Sequence, residues 1–188
     1  SDGAAIAAAT NAGTVDFSTG GVSDTFANLT SGTSVSTDMQ AIDAKDANVN
    51  ITVSDAPLGP VSADNVTALN ALMSATTGTV TATINGIGAN LDGLQANSGS
   101  SSTQSLTITV NDAMTGSGGV TSLNAIAAAT TGTVTATSVS GNSGDLASLT
   151  ASGTSATQAY TITVDNATNV SDGAAIAAAT NAGTVDFS

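Results

Sequence analysis

Residues 69–84 read LNALMSATTGTVTATI, and the two ends of this stretch run on different periods. Val66, Leu69, Leu72 and Met73 fall at i, i+3, i+6 and i+7, the apolar stripe of an amphipathic helix. Past Gly78 the period changes to two: Val80, Ala82 and Ile84 alternate with Thr81 and Thr83, the pattern of a half-buried strand with threonine on its open face. Ser62 stands where a helix N-cap is expected, as do Ser122, Ser171 and Asp172 further along. Gly78, Gly132 and Gly183 each stand just past an expected helix end, a favoured place for glycine.

This helix–strand half-unit recurs. Leu123-Asn124-Ala125-Ile126 leads to Gly132-Thr133-Val134-Thr135-Ala136-Thr137, and Ala174-Ala175-Ile176 leads to Gly183-Thr184-Val185. A second kind of half-unit has a shorter helix, a Ser/Gly-rich loop and a strand. It appears as Leu91-Asp92-Gly93-Leu94 with Leu106–Val110, and as Asp145–Leu149 with Tyr160–Val164. A longer version runs from Phe26 to Val53, with an insertion at 36–48 that has room for an extra helix over Thr37–Lys45. Either a strand is lost there or two half-units are fused.

Alternating helices and strands imply parallel strands joined by right-handed crossovers. The predicted fold is therefore α/β, a parallel solenoid of helix–strand coils stacked as in leucine-rich repeats, with about six to seven coils per 170 residues. Strands are expected near Val15, Ile51, Ala82, Ile108, Ala136, Ile162 and Val185.

A longer repeat frames the short one. Residues 1–18 and 171–188 both read SDGAAIAAATNAGTVDFS, identical at a separation of 170. The chain is read as one tandem unit, 1–170, followed by the start of the next, 171–188, cut from a longer polypeptide. Neither end carries the polar cap that a lone solenoid needs.

Composition narrows the function. Ala (35), Thr (32), Ser (24) and Gly (20) fill most of the 188 positions, and Cys, His, Trp, Arg and Glu are absent. Lys45 alone opposes fourteen Asp, giving a net charge of −13. Cys- or His-ligated metals, His-activated nucleophiles and nucleic-acid binding all lack their residues. No apolar run approaches the length of a membrane span. The expectation is a protein that is not an enzyme and has no cofactor. A glycan-processing enzyme would need paired carboxylates in a cleft, and the nearest pair, Asp43 and Asp46 beside Lys45, has no supporting aromatics.

The phrases LNAIAAATTGTVTAT (Leu123–Thr137) and LASLTASGTSATQAYTITV (Leu146–Val164) resemble the repeats of giant extracellular and cell-surface proteins of cyanobacteria and other marine bacteria. The resemblance implies an extracellular or cell-surface location and a part in a surface layer, adhesion, gliding or a matrix. Some such proteins carry calcium-binding nonapeptides, but Gly118-Gly119 runs into Val120-Thr121-Ser122 instead of that consensus.

Three sets of residues are candidate sites. Asp55, Asp112 and Asp165, with Asn111 and Asn166, follow strands and would align along one edge, either as calcium ligands or as turn formers. The pairs Thr81/Thr83, Thr107/Thr109, Thr135/Thr137 and Thr161/Thr163 would stack as two threonine ladders. Such ladders resemble the ice-binding faces of solenoid antifreeze proteins, although Asp16 and Asn50 interrupt them; the plainer reading is β-branched residues suited to strands. Glycosylation sequons begin at Asn28, Asn50, Asn65, Asn166 and Asn169. The function expected is a structural segment of a long extracellular filament or surface fibre. Its partner is itself, end to end, with lateral association through divalent cations. An adhesin stalk or ice-binding module using the threonine face is the alternative.

Overall fold

The structure is a computed structural model that describes residues 2–9, 13–17, 19–150 and 156–187. In chain order the elements are α1 (Asp2–Ala9), β1 (Val22–Asp24), α2 (Phe26–Leu29), β2 (Thr30–Ser31), β3 (Ser34–Val35), α3 (Thr37–Asp43), β4 (Ile51–Val53), α4 (Ala63–Ala75) and β5 (Thr79–Gly86). Next come α5 (Gly88–Leu91), β6 (Thr103–Val110), β7 (Met114–Thr115), α6 (Gly116–Ala128), β8 (Thr133–Gly141), α7 (Ser143–Leu146), β9 (Thr157–Val164), α8 (Val170–Ala178) and β10 (Thr184–Phe187).

The fold is mixed α/β. Eight strands form one sheet in the order β1-β4-β5-β6-β8-β9-β10, with β7 also on β8, and the pairings within it are parallel. Sheet order therefore matches chain order. The helices keep it too, since α4, α5, α6, α7 and α8 each pack on the next.

Local chemistry accounts for the elements. Ser62 caps α4 by accepting from the Asn65 N–H at 3.2 Å, while Asn65 Oδ1 accepts from the Ser62 N–H at 3.0 Å. The stripe Val66, Leu69, Leu72 and Met73 is buried against the inward residues Val80, Ala82 and Ile84 of β5. In β6 and β9 the inward set is Leu106, Ile108, Val110 and Tyr160, Ile162, Val164, all buried. Each Leu or Ile so buried contributes about 1.5–3 kcal/mol, before entropy is charged against it. One core thus runs the length of the sheet on its helix side, and the opposite face is open.

The structure departs from expectation at several points. Val15 is not in a strand; the first strand is β1, seven residues further on. The insertion supplies the expected helix, α3, capped by Ser36, and just before it, over Thr30–Val35, lies a small antiparallel hairpin of β2 and β3 that the sequence reading did not include. Ser122 is no cap: α6 begins at Gly116, and the Ser122 hydroxyl donates to Asp92 Oδ2 at 2.7 Å. Its early start depends on glycine, because a Cβ at Gly119 would stand 2.5 Å from the Met114 carbonyl carbon. Ser171 and Asp172 lie inside α8, whose cap is Asn169, the acceptor for the Asp172 N–H at 2.9 Å.

Candidate self-association interface

Repeated polar contacts tie each half-unit to its predecessor. Thr76 is buried after α4, and its hydroxyl donates to Val49 O at 2.6 Å and accepts from the Gly78 N–H at 2.9 Å. Thr130 repeats this after α6, donating to Leu106 O at 2.8 Å and accepting from the Leu106 N–H at 2.7 Å. Thr180 does so after α8, with Gln158 O at 3.0 Å and Tyr160 N at 3.1 Å. The glycine after each threonine serves the same closeness. A Cβ at Gly78 would stand 2.5 Å from both Asn48 O and Val49 O; one at Gly132 or Gly183 would collide with Leu106 O or Tyr160 O. These glycines are needed for contact with the previous strand, not for a left-handed turn.

Asparagines on the long helices bracket the next loop. Asn70 donates to Gly93 O and accepts from the Gln95 N–H, both at 2.8 Å, and Asn124 does the same with Ser148 O at 2.9 Å and Thr150 N at 2.8 Å. Inward-facing Gln158 is buried in β9, and its amide donates to Thr150 O at 2.8 Å. Each such bond adds about 0.5–1.5 kcal/mol net, and much more is lost if one partner is removed. A core of small side chains is thus supplemented by buried polar bonds at fixed positions. The signal was present as a Thr two or three residues before each post-helical glycine, but neither these threonines nor Asn70 and Asn124 stand out by chemistry alone.

The post-strand acids act as acceptors. Asp55 Oδ2 accepts from the Phe26 N–H at 2.5 Å, and Asp112 Oδ1 from the Gly88 N–H at 2.7 Å. In the next half-unit the equivalent contact is made by Asn166, whose Oδ1 accepts from the Ser143 N–H at 2.7 Å; Asp165 is exposed beside it. Asp165 is therefore out of line with the other two. Among the described residues, no three His, Cys, Asp or Glu side chains lie close enough together to hold a metal ion.

On the open face, Thr81, Thr83, Thr107, Thr137, Thr161 and Thr163 are exposed, and Thr109 and Thr135 half-buried. The register sets Thr83 opposite Thr107, and Thr109 opposite Thr135, but Thr81 faces Ser105 and Asn85 faces Thr109. Ala159 faces Thr135, the register shifts between Ala136 and Val139, and Thr163 faces Ser140 and Asp186. Threonine pairs thus meet locally, interrupted by other residues, instead of forming two unbroken ladders.

The two copies of the duplicated segment are held differently. In the second copy, β10 pairs with β9, Thr184 to Thr161 through Phe187 to Val164, and Ile176 is fully buried. In the first copy, α1 packs on α3, the Phe17 N–H donates to Asp46 Oδ2 at 2.6 Å, and Ile6 is 52% exposed. Asp43 lies in this region with its Oδ1 buried and unpartnered; burial, and then the Asp46 charge, hold its carboxyl above the usual range. Below the first copy is a cavity of about 360 Å³ bordered by Gly3, Ile6, Phe17, Val22, Met39 and Ile42.

No protein-family model, no curated protein and no solved structure matches the chain. Among the described residues no helix is long and apolar enough to cross a membrane.

Proposed function

We propose that the chain is a segment of a long extracellular filament or surface fibre, a parallel solenoid of tandem 170-residue units with a structural and not a catalytic role. The observation that carries this reading is the coincidence of sheet order with chain order, so that each half-unit touches mainly its neighbours. Stability in such a stack is a sum of unit and interface terms, and length can be added without limit. The repeated segment supports it, since residues 171–188 restate residues 1–18 at a separation of 170. Surface location is supported by the near-absence of Lys and Arg, which leaves one trypsin-type cleavage point in 188 residues. The charge of −13 keeps fibres apart at low salt and lets divalent cations draw them together.

The test is electron microscopy of a polypeptide carrying several tandem units. Six strands from β1 to β9 belong to one unit, and the duplicated segment adds a seventh where it pairs as β10 does, so each unit should advance the fibre by about 29–34 Å. A thin, continuous fibre with that axial repeat is expected. Separate globules, or a repeat far from it, would overturn the reading.

A further inference from the structure

Charge is unevenly placed on this chain. Its fourteen Asp and Lys45 lie on helices, in loops and turns, and in β1 and β10; none falls within β4, β5, β6, β7, β8 or β9. Along β5, β6, β8 and β9 the residues on the open face are Thr, Ser, Asn and Ala only. Thr81, Thr83, Thr107, Thr137, Thr161 and Thr163 are exposed there. Asp186, which faces Thr163 from β10, marks one border of this stretch. A protein of net charge −13 thus carries a broad neutral surface. High net charge keeps copies of a protein apart, so this surface is where two copies meet the least opposition. It also fits itself. A hydroxyl both donates and accepts a hydrogen bond, so two such faces satisfy each other, which two rows of carboxylates cannot. Threonine is stiff about χ1, and little side-chain freedom is lost when it is covered.

We propose that this face is the lateral interface of the filament, and that its occupant is the same face of a second copy, the two threonine sheets lying about 10 Å apart as in a β-sandwich. This rests on the filament reading and names the surface by which filaments associate. The core and the helices cover the other side of the sheet, so each filament has one such face. The contact uses the same patch on both partners and leaves none to recruit a third, so association closes at two. Four strands of eight or nine residues make a face of about 20 by 26 Å, about 500 Å² a side. Two such faces fall just short of the roughly 1,200 Å² at which stable interfaces begin. One unit therefore pairs weakly, and each further unit in the same filament adds equal area to a contact already engaged.

A polypeptide of several tandem units, held in chelator to exclude bridging by divalent cations, tests this in electron microscopy and sedimentation. At about 1 M NaCl, where charge repulsion reaches only about 3 Å, filaments should be double, with twice the mass per length; at about 0.01 M, where it reaches about 30 Å, they should be single. Thr83→Asp with Thr161→Asp places charge on β5 and β9 and should raise the concentration needed for pairing at least about tenfold. Thr67→Asp with Thr121→Asp adds the same charge at exposed positions of α4 and α6 and should leave pairing unchanged. Mixing the face variant with its Thr83→Lys, Thr161→Lys counterpart should restore double filaments, a rescue that misfolded chains would not show. Single filaments at every salt concentration would overturn the pairing, leave the filament standing and give the face to a foreign partner. Bundles of three or more, or equal loss of pairing in both Asp variants, would overturn it too. Separate globules throughout would overturn the filament reading, and the pairing with it.

Discussion

Residues 1–18 and 171–188 are the same eighteen letters in two different structures. Both contain a helix, α1 or α8, and in both the helix glycine faces the segment's own phenylalanine: a Cβ at Gly3 would stand 3.9 Å from Phe17, and one at Gly173 3.7 Å from Phe187. There the likeness stops. Thr184–Phe187 is a strand and Thr14–Phe17 is not. Ile176 is buried and Ile6 is not, while Ala7 is buried and its twin Ala177 is exposed, so the two helices present different faces to the body of the protein. The second copy comes after β9, whose edge offers a row of carbonyls and N–H groups. The first copy, among the described residues, packs on α3 and on Asp46. Strand formation in this sequence is thus conferred by the preceding strand, and a β-branched alternation such as Thr-Val-Asp-Phe becomes a strand when it has an edge to join.

The comparison breaks most sharply at the isoleucines. Ile176→Ala should cost about 2–5 kcal/mol, because a fully buried side chain is cut back within a close-packed region. Ile6→Ala should cost below about 1 kcal/mol, as expected for a side chain already half in water. Thermal or denaturant unfolding of the two variants measures the difference. Equal losses would show that the first copy is held as firmly as the second.

The glycines give the next largest effect. Gly183→Val puts a side chain against Tyr160 O and should cost about 1–3 kcal/mol, most of it as faster amide exchange in Thr184–Phe187. Gly13→Val alters an exposed residue and should stay within about 0.5 kcal/mol. Exchange that speeds up equally in both segments would mean that the strand of the second copy does not depend on close approach to β9.

Much of the fold was legible because its two periods are clean. Val80-Thr81-Ala82-Thr83-Ile84 can only bury one face as a strand, and Val66, Leu69, Leu72 and Met73 can only align on a helix, so the parallel arrangement came from their alternation. Six of the seven expected strand centres lie in strands. Val15 failed since its sequence is indistinguishable from that around Val185, and the difference lies in the neighbours. The start of α6 was hidden in Gly-Ser-Gly-Gly, which looks like a loop until the packing of Gly119 over Met114 is seen. The tying threonines were hidden for a different reason: in a chain with 32 threonines, Thr76 and Thr130 are told apart only by burial. The aligned Asp row was half legible. Its position after each strand was visible, but its partners, the N–H groups of Phe26 and Gly88, lie 29 and 24 residues earlier in the chain.

The smallest expected effect concerns charge, and it belongs to the first copy alone. Asp43 ends α3, on which α1 packs, and Asp46 holds the Phe17 N–H; the second copy rests instead on Gln158, Tyr160 and α7. Burial, and then Asp46, raise the Asp43 carboxyl above its ordinary 3.8, so the folded chain binds that proton more tightly than the unfolded chain does. Stability contributed by the group therefore falls as pH rises through the interval above 3.8, and the deficit is fully present once pH exceeds the folded-state value. Asp43→Asn removes the charge and should recover the deficit at neutral pH, a gain below about 1 kcal/mol given how much solvent reaches the side chain. Amide exchange resolves where the gain appears. Slower exchange in 2–17 with no change in 184–187 would tie it to the contact of α1 with α3, and a variant that slows both segments equally, or neither, would show that the two identical copies do not differ in their electrostatic surroundings.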